Sequence, residues 1–179
     1  MVLNYLSDVE FADQNTAYMN DLESDYVDVF IDQKVFAEGP SLNNMLDTLT
    51  IPDGKIVEAG VWKRYLYSQL VTRFGDRAKG YDIHQYTEAD DSIVIGDFRT
   101  IHTDHVESVA VFINGMGGWD TNTSSKQAGL DYAYANLVSG GYYIDSKYLW
   151  DIQSPDMSSY TDFTSVEDAS GEWVIYQKT

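Results

Sequence analysis

Lys55-Ile56-Val57-Glu58-Ala59-Gly60 is a short strand-like run closed by a glycine, and together with the helix it leads into it decides the fold. Leu66, Leu70 and Phe74 recur every four residues, with Tyr67 and Val71 beside them, so the chain turns at Gly60 and enters a helix. Gly75-Asp76 ends that helix, glycine being the residue that best takes the left-handed conformation past a helix terminus. Strand, glycine turn and amphipathic helix make the first half of a parallel crossover.

The same alternation continues downstream. Arg77-Ala78-Lys79-Gly80-Tyr81-Asp82-Ile83 predicts a second strand ending in Asp82, and Ser92-Ile93-Val94-Ile95-Gly96-Asp97-Phe98 a third. Ser108 to Asn114 is apolar throughout its middle, as strands buried on both faces are. Thr123, Ser124 or Ser125 caps a helix reaching about Val138, and Gly140-Gly141 turns it into a fifth strand, Tyr142-Tyr143-Ile144-Asp145. Tyr160 to Val166 and Glu172 to Gln177 alternate around Asp168-Ala169-Ser170-Gly171, which predicts a closing hairpin. The sum is an α/β domain: a mostly parallel sheet with an antiparallel edge.

Upstream, Pro52-Asp53-Gly54 reads as a turn, and Ser41 as the N-cap of a helix carrying Leu42, Met45, Leu46 and Leu49. The segment from Met1 to about Asp32 is polar, acidic and marked by Tyr5, Tyr18 and Tyr26; it reads as a helical cover. A chain of 179 residues has the length of one domain, here residues 1–179, with 1–50 as cover and 55–179 as core. Its 29 acidic residues against 11 basic ones leave a formal charge of −18. Such a surface repels phosphate backbones and anionic lipids, so neither nucleic acid nor a membrane is the expected partner; a small molecule is. Cysteine is absent, which excludes disulfides and thiolate metal sites. Neither a signal peptide nor a membrane-spanning run is legible, and the expectation is a soluble cytoplasmic protein.

In open parallel sheets ligands gather beyond the carboxyl ends of the strands. Gly60 permits a close backbone approach there, and Asp82 has the two acceptor oxygens that a ribose diol wants. Asp97 suits an adenine amino group, with Phe98 against a ring face, and Asn114 opens a glycine-rich loop through Trp119-Asp120. Each has a plainer reading. Glu58 serves equally as a helix N-terminal carboxylate, and Asp82 and Asp97 as turn residues. His102 and His105 lie three apart around Asp104, but a loop with no third ligand makes a poor metal site; no metal is expected.

The order of these features resembles the class I S-adenosylmethionine (SAM)-dependent methyltransferases, a Rossmann-like family with a seven-stranded sheet and an antiparallel final strand. Val57-Glu58-Ala59-Gly60-Val61-Trp62 is similar to the family's first motif, Asp82 to its second and Gly96-Asp97-Phe98 to its third. Leu137-Val138-Ser139-Gly140-Gly141-Tyr142 resembles its glycine turn before strand five, and Glu172 to Tyr176 its last strand. The resemblance runs from Lys55 to Thr179. It implies SAM as cofactor, held by Glu58, Gly60, Trp62, Asp82, Ile83, Gly96, Asp97, Phe98 and Asn114. It implies methyl transfer to a small acceptor, or, as the alternative, a non-catalytic relative that binds a nucleoside or a partner. The family's first loop usually carries two or three glycines, whereas only Gly60 stands here. No Gly-x-Gly-x-x-Gly occurs, which argues against a dinucleotide. His102, His105, Asp120 and Asp145 are the candidate bases near the mouth; no spacing singles one out, so no catalytic residue is assigned.

Overall fold

The structure, a computed structural model, describes residues 38–61, 65–82, 91–101, 108–115, 123–152 and 154–179. The acidic segment before residue 38 lies outside them. Helix α1 (Glu38–Asp47) leads into strand β1 (Lys55–Ala59), helix α2 (Tyr65–Phe74) and a 3₁₀ turn at Gly75–Arg77. Strands β2 (Ala78–Asp82) and β3 (Ile93–Ile95) come next, then the short helix α3 (Phe98–Ile101) and β4 (Val109–Asn114). Helix α4 (Thr123–Asn136), β5 (Leu137–Ser146), the one-and-a-half-turn α5 (Lys147–Ile152), β6 (Phe163–Val166) and β7 (Trp173–Lys178) complete the order.

The seven strands form one sheet in the order β3-β2-β1-β4-β5-β7-β6. The first five run parallel, and β7 lies antiparallel between β5 and β6. From β1 the chain winds outward to β2 and β3, then returns to β4 on the other side of β1 and winds the opposite way. The topological switch therefore falls between β1 and β4, and in open parallel sheets ligands gather beyond the carboxyl ends at such a point. The mostly parallel seven-stranded sheet with its antiparallel C-terminal hairpin is the architecture the sequence predicts.

Apolar side chains cover both faces. On one, Leu42 and Leu46 of α1 and Tyr67 and Leu70 of α2 pack against Ile56, Val111, Ile113 and Ile144. On the other, Leu130, Tyr132 and Ala133 of α4 and Phe98 of α3 pack against Val57, Tyr81, Phe112 and Tyr143. Period-two alternation sorts β1 accordingly: Ile56 and Glu58 face α2, Val57 and Ala59 face α4. Gly80 of β2 makes room for the first layer, since a Cβ there would lie 2.7 Å from Val61 Cγ2.

Three boundaries differ from the sequence expectation. Helix α1 begins at Glu38, so Ser41 lies inside it and is not its cap; Pro40 falls in the first turn, where its missing N–H costs nothing. Strand β3 ends at Ile95, and Phe98 opens a helix. Gly140-Gly141 lies within β5, which starts at Leu137 immediately after α4. The glycine pair instead carries a register break: Val109 pairs with Leu137, yet Val111 pairs with Tyr142. Gly140 takes φ +79°, and a Cβ on Gly141 would lie 2.9 Å from the Val138 carbonyl oxygen, so both positions demand glycine.

Candidate functional site

Backbone hydrogen bonds tie the carboxyl edge together one residue past each strand. Gly60 N–H and Val61 N–H donate to Tyr81 O, Gly96 N–H to Asp82 O, and Gly115 N–H to Ala59 O. Gly60 takes φ +85° and Gly96 φ +154°, both conformations that side chains resist. At the switch point the two strand ends close tightly: a Cβ on Gly115 would sit 3.0 Å from Ala59 O and 3.1 Å from Gly60 O.

On the α2 face of this edge stand Glu58 and Asp82. Glu58 is in register with Gly80, so Asp82 lies on the same face two residues further on. Both are buried, Glu58 at 2% exposure and Asp82 at 8%. Glu58 Oε2 has no hydrogen-bond partner. Burial pushes the Glu58 carboxyl well above the usual carboxylate range, and the neighbouring charge of Asp82 adds to the shift. A buried acceptor left unsatisfied costs about 1–3 kcal/mol, so such atoms in folded proteins call for an explanation.

Asp97 sits at the end of β3 and is engaged by its own helix. Its Oδ1 accepts from the Arg99 backbone N–H at 3.0 Å, and its Oδ2 from the guanidinium at 2.6 Å. Burial raises its pKa, but the Arg99 hydrogen bonds and charge outweigh that and hold it below the ordinary value. The Phe98 ring is 6% exposed and packs edge-on against Tyr81 at 5.2 Å and Tyr132 at 5.4 Å. That ring belongs to the core under the strand end.

Asn114 ends β4 opposite Ala59 but on the α4 face, with Phe112. Its Nδ2 donates to the Lys126 carbonyl at 3.1 Å and to the Tyr143 hydroxyl at 2.8 Å. Tyr143 in turn donates to Asp145 Oδ2 at 3.4 Å, and Lys126 Nζ contacts both Asp145 oxygens at 2.5 and 2.6 Å. Lys126 and Asp145 are both 0% exposed. Burial drives the Asp145 carboxyl up to about 7 although Lys126 opposes it. Burial likewise lowers the Lys126 ammonium against the pull of Asp145. The Tyr143 phenol rises well above its ordinary value through burial and the Asp145 charge. The Asn114 Oδ1 atom is buried without a partner.

The predicted residues therefore separate. Glu58 and Asp82 share the α2 face, Gly60 and Gly96 follow the ends of β1 and β3, and Asn114 belongs to a charged network on the α4 face. Trp62 and Ile83 lie outside the described residues, as do His84, His102, His105, Trp119 and Asp120. Of the four candidate bases only Asp145 is described, and it is a buried ion-pair partner. No cluster of three or more metal-ligating side chains occurs among the described residues. No helix among them is long and apolar enough to cross a membrane.

Sequence reasoning missed Lys126 and Tyr143. The signal was present in part: Lys126, Leu130 and Ala133 share one helical stripe, so a lysine stood on the apolar face of α4. Its partner on β5 was not legible.

No protein-family model and no curated protein matches this sequence. Solved structures do match the fold. CalS11, a TDP-rhamnose 3′-O-methyltransferase of calicheamicin biosynthesis, superposes with TM-score 0.59 at 10% identity, over 99% of this chain and 96% of that one. Human N-acetylserotonin methyltransferase in complex with SAM gives 0.51 at 13% identity, over 90% of this chain and 58% of that one. TrmN from Thermus thermophilus gives 0.51 at 12% identity; the match covers 79% of this chain but only 48% of TrmN. The chain thus spans about half the length of two of these three relatives. With this strand order, this antiparallel edge and these neighbours, the chain has the fold of the class I SAM-dependent methyltransferases.

Proposed function

We propose that this chain binds SAM at the carboxyl ends of β1 to β3 and transfers its methyl group to a small-molecule acceptor. The observation that carries this is Glu58: a fully buried carboxylate, one oxygen unpartnered, beside Asp82 at the topological switch of the sheet. The residues present fit such a cofactor. Asp82 offers paired acceptors for a ribose diol, Gly60 and Gly96 allow close backbone approach, and Glu58 Oε2 awaits a donor. Asp97 supplies rigidity to the β3 end through Arg99. Trp62, Ile83 and Phe98 enter the proposal only through the family resemblance, and the Phe98 ring itself is 6% exposed. Asn114 enters the proposal through the family resemblance alone, its side chain being bound on the α4 face to Lys126 and Tyr143.

When bound, SAM supplies an electrophilic sulfonium methyl, so the chain's own task is to orient that group and keep water away. The acidic lining favours a cation there. The formal charge of −18 supports a small neutral or cationic acceptor over nucleic acid. A non-catalytic nucleoside-binding domain is the second reading. The burial of Asp145 favours it: the one described candidate base is paired with Lys126 and closed to an acceptor.

Thermal unfolding with SAM or its demethylated product, S-adenosylhomocysteine (SAH), tests the cofactor. Ligand at 100 times its Kd adds about 2.7 kcal/mol of apparent stability. Asp82→Ala is expected to abolish the shift. No shift with the native chain refutes the proposal, and binding without turnover over an acceptor panel favours the second reading.

A further inference from the structure

We propose that Glu58 carries a proton while the cofactor site is empty and releases it when a donor-bearing adenosyl ligand enters, so that binding is coupled to pH. This rests on the cofactor reading above. Among the described residues, none gives Glu58 Oε2 a hydrogen bond. From β2 it faces Asp82, a second buried carboxyl. From α2 it faces Tyr67, whose hydroxyl bonds to Ser92 Oγ at 2.7 Å. From β4 the same face presents Ile113, and from α1 it presents Leu42, Met45 and Leu46. Among the described residues no cation faces it.

An ionised carboxyl in that setting has no donor for Oε2 and feels a like charge across the strand pair. Desolvation and repulsion act in one direction, toward the protonated form. A ligand ammonium reverses both conditions, whereas a hydroxyl supplies the donor alone. The ligand gives Oε2 a partner, it displaces the proton to bulk solvent, and if cationic it leaves the site charge unchanged. The proton and the ligand then compete for one oxygen. Affinity weakens tenfold for each pH unit below the titration of Glu58 in the free protein, and is flat above it. A site of this kind accepts a cationic cofactor without accumulating charge in its walls.

Calorimetric titration of the full chain with SAH, at one pH in phosphate and in imidazole, counts the protons exchanged with buffer. The native chain is expected to release up to one proton on the acid side of the Glu58 titration, the number falling as pH rises through it. Its Kd tightens as pH rises toward the titration of Glu58 in the free protein and levels off above it. Glu58→Gln keeps an acceptor oxygen but has no proton to lose, so it is expected to bind SAH more weakly than the native chain at high pH, with no proton release and a Kd that does not follow pH. If that variant loses binding, carboxyl-carbon NMR of the native chain gives the same answer. Glu58 must then titrate above the usual carboxylate range without SAH and be ionised with it. Binding without proton release, or equal release by Glu58→Gln, overturns the inference and leaves the cofactor reading intact. No SAH binding by the native chain overturns the cofactor reading and takes the inference with it.

Discussion

Replacing Lys126 with Met removes the cation of a pair whose two side chains are wholly buried, while keeping a stem of similar length. The ammonium and carboxylate lie 2.5 Å apart, and among the described residues Asp145 has only Tyr143 as a further side-chain donor, at 3.4 Å. Breaking a buried pair from one side typically costs about 3–5 kcal/mol, because the remaining charge stays desolvated and unpaired. For a chain of 179 residues that is roughly 6–20 °C in Tm, at about 2–4 °C per kcal/mol.

The pH dependence originates in Asp145. Its carboxyl titrates at about 7 in the native chain, well above its unfolded value. Between those values the folded state holds a proton that the unfolded state has lost, so stability falls as pH rises and levels off above 7. Without Lys126 the folded value climbs further. The variant therefore keeps losing stability above pH 7, at up to about 1.4 kcal/mol per pH unit, where the native chain does not. Urea denaturation at pH 5.5, 7 and 8.5 measures the gap. Adding Asp145→Leu to Lys126→Met should restore stability to within about 1 kcal/mol of native or exceed it, since apolar replacement of a buried pair is often neutral or stabilising. A single Lys126→Met variant within about 1 kcal/mol of native at pH 8.5 would refute the account.

Gly115→Ala places a Cβ against two backbone carbonyls, at 3.0 and 3.1 Å, so the ends of β1 and β4 must move apart. We expect a loss of about 1–3 kcal/mol by chemical denaturation together with weaker SAH binding, and unchanged values for both would contradict the close approach. Tyr143→Phe removes the hydroxyl that accepts from Asn114 and donates to Asp145. The expected cost is about 1–2 kcal/mol, and it should vanish in the Lys126→Met, Asp145→Leu background only for the part that runs through Asp145.

The strand and helix order was legible because its signals are local. Alternation, four-residue spacing and terminal glycines lie within a few residues of each other, as in Lys55 to Gly75 or the Asp168–Gly171 hairpin. Boundaries were less legible where a tertiary contact overrides the local signal. Gly140-Gly141 looks like a turn in isolation, yet pairing with β4 draws it into β5 as a register break. Phe98 looks like a strand end, yet the space between Tyr81, Phe112 and Tyr132 takes its ring into the core.

Sequence alone determined that this is an acidic α/β chain whose polar strand ends, Glu58, Asp82, Asp97 and Asn114, are the places to look for a ligand. Tertiary structure decided what each of those polar groups meets. Strand pairing and pleat set Glu58 and Asp82 on one face, and sent Asn114 to the other with Tyr143, Asp145 and Lys126. Residue identity says which groups carry charge; only register and burial say whether a donor stands within reach. That is why Lys126 meets a carboxylate and Glu58 Oε2 meets none.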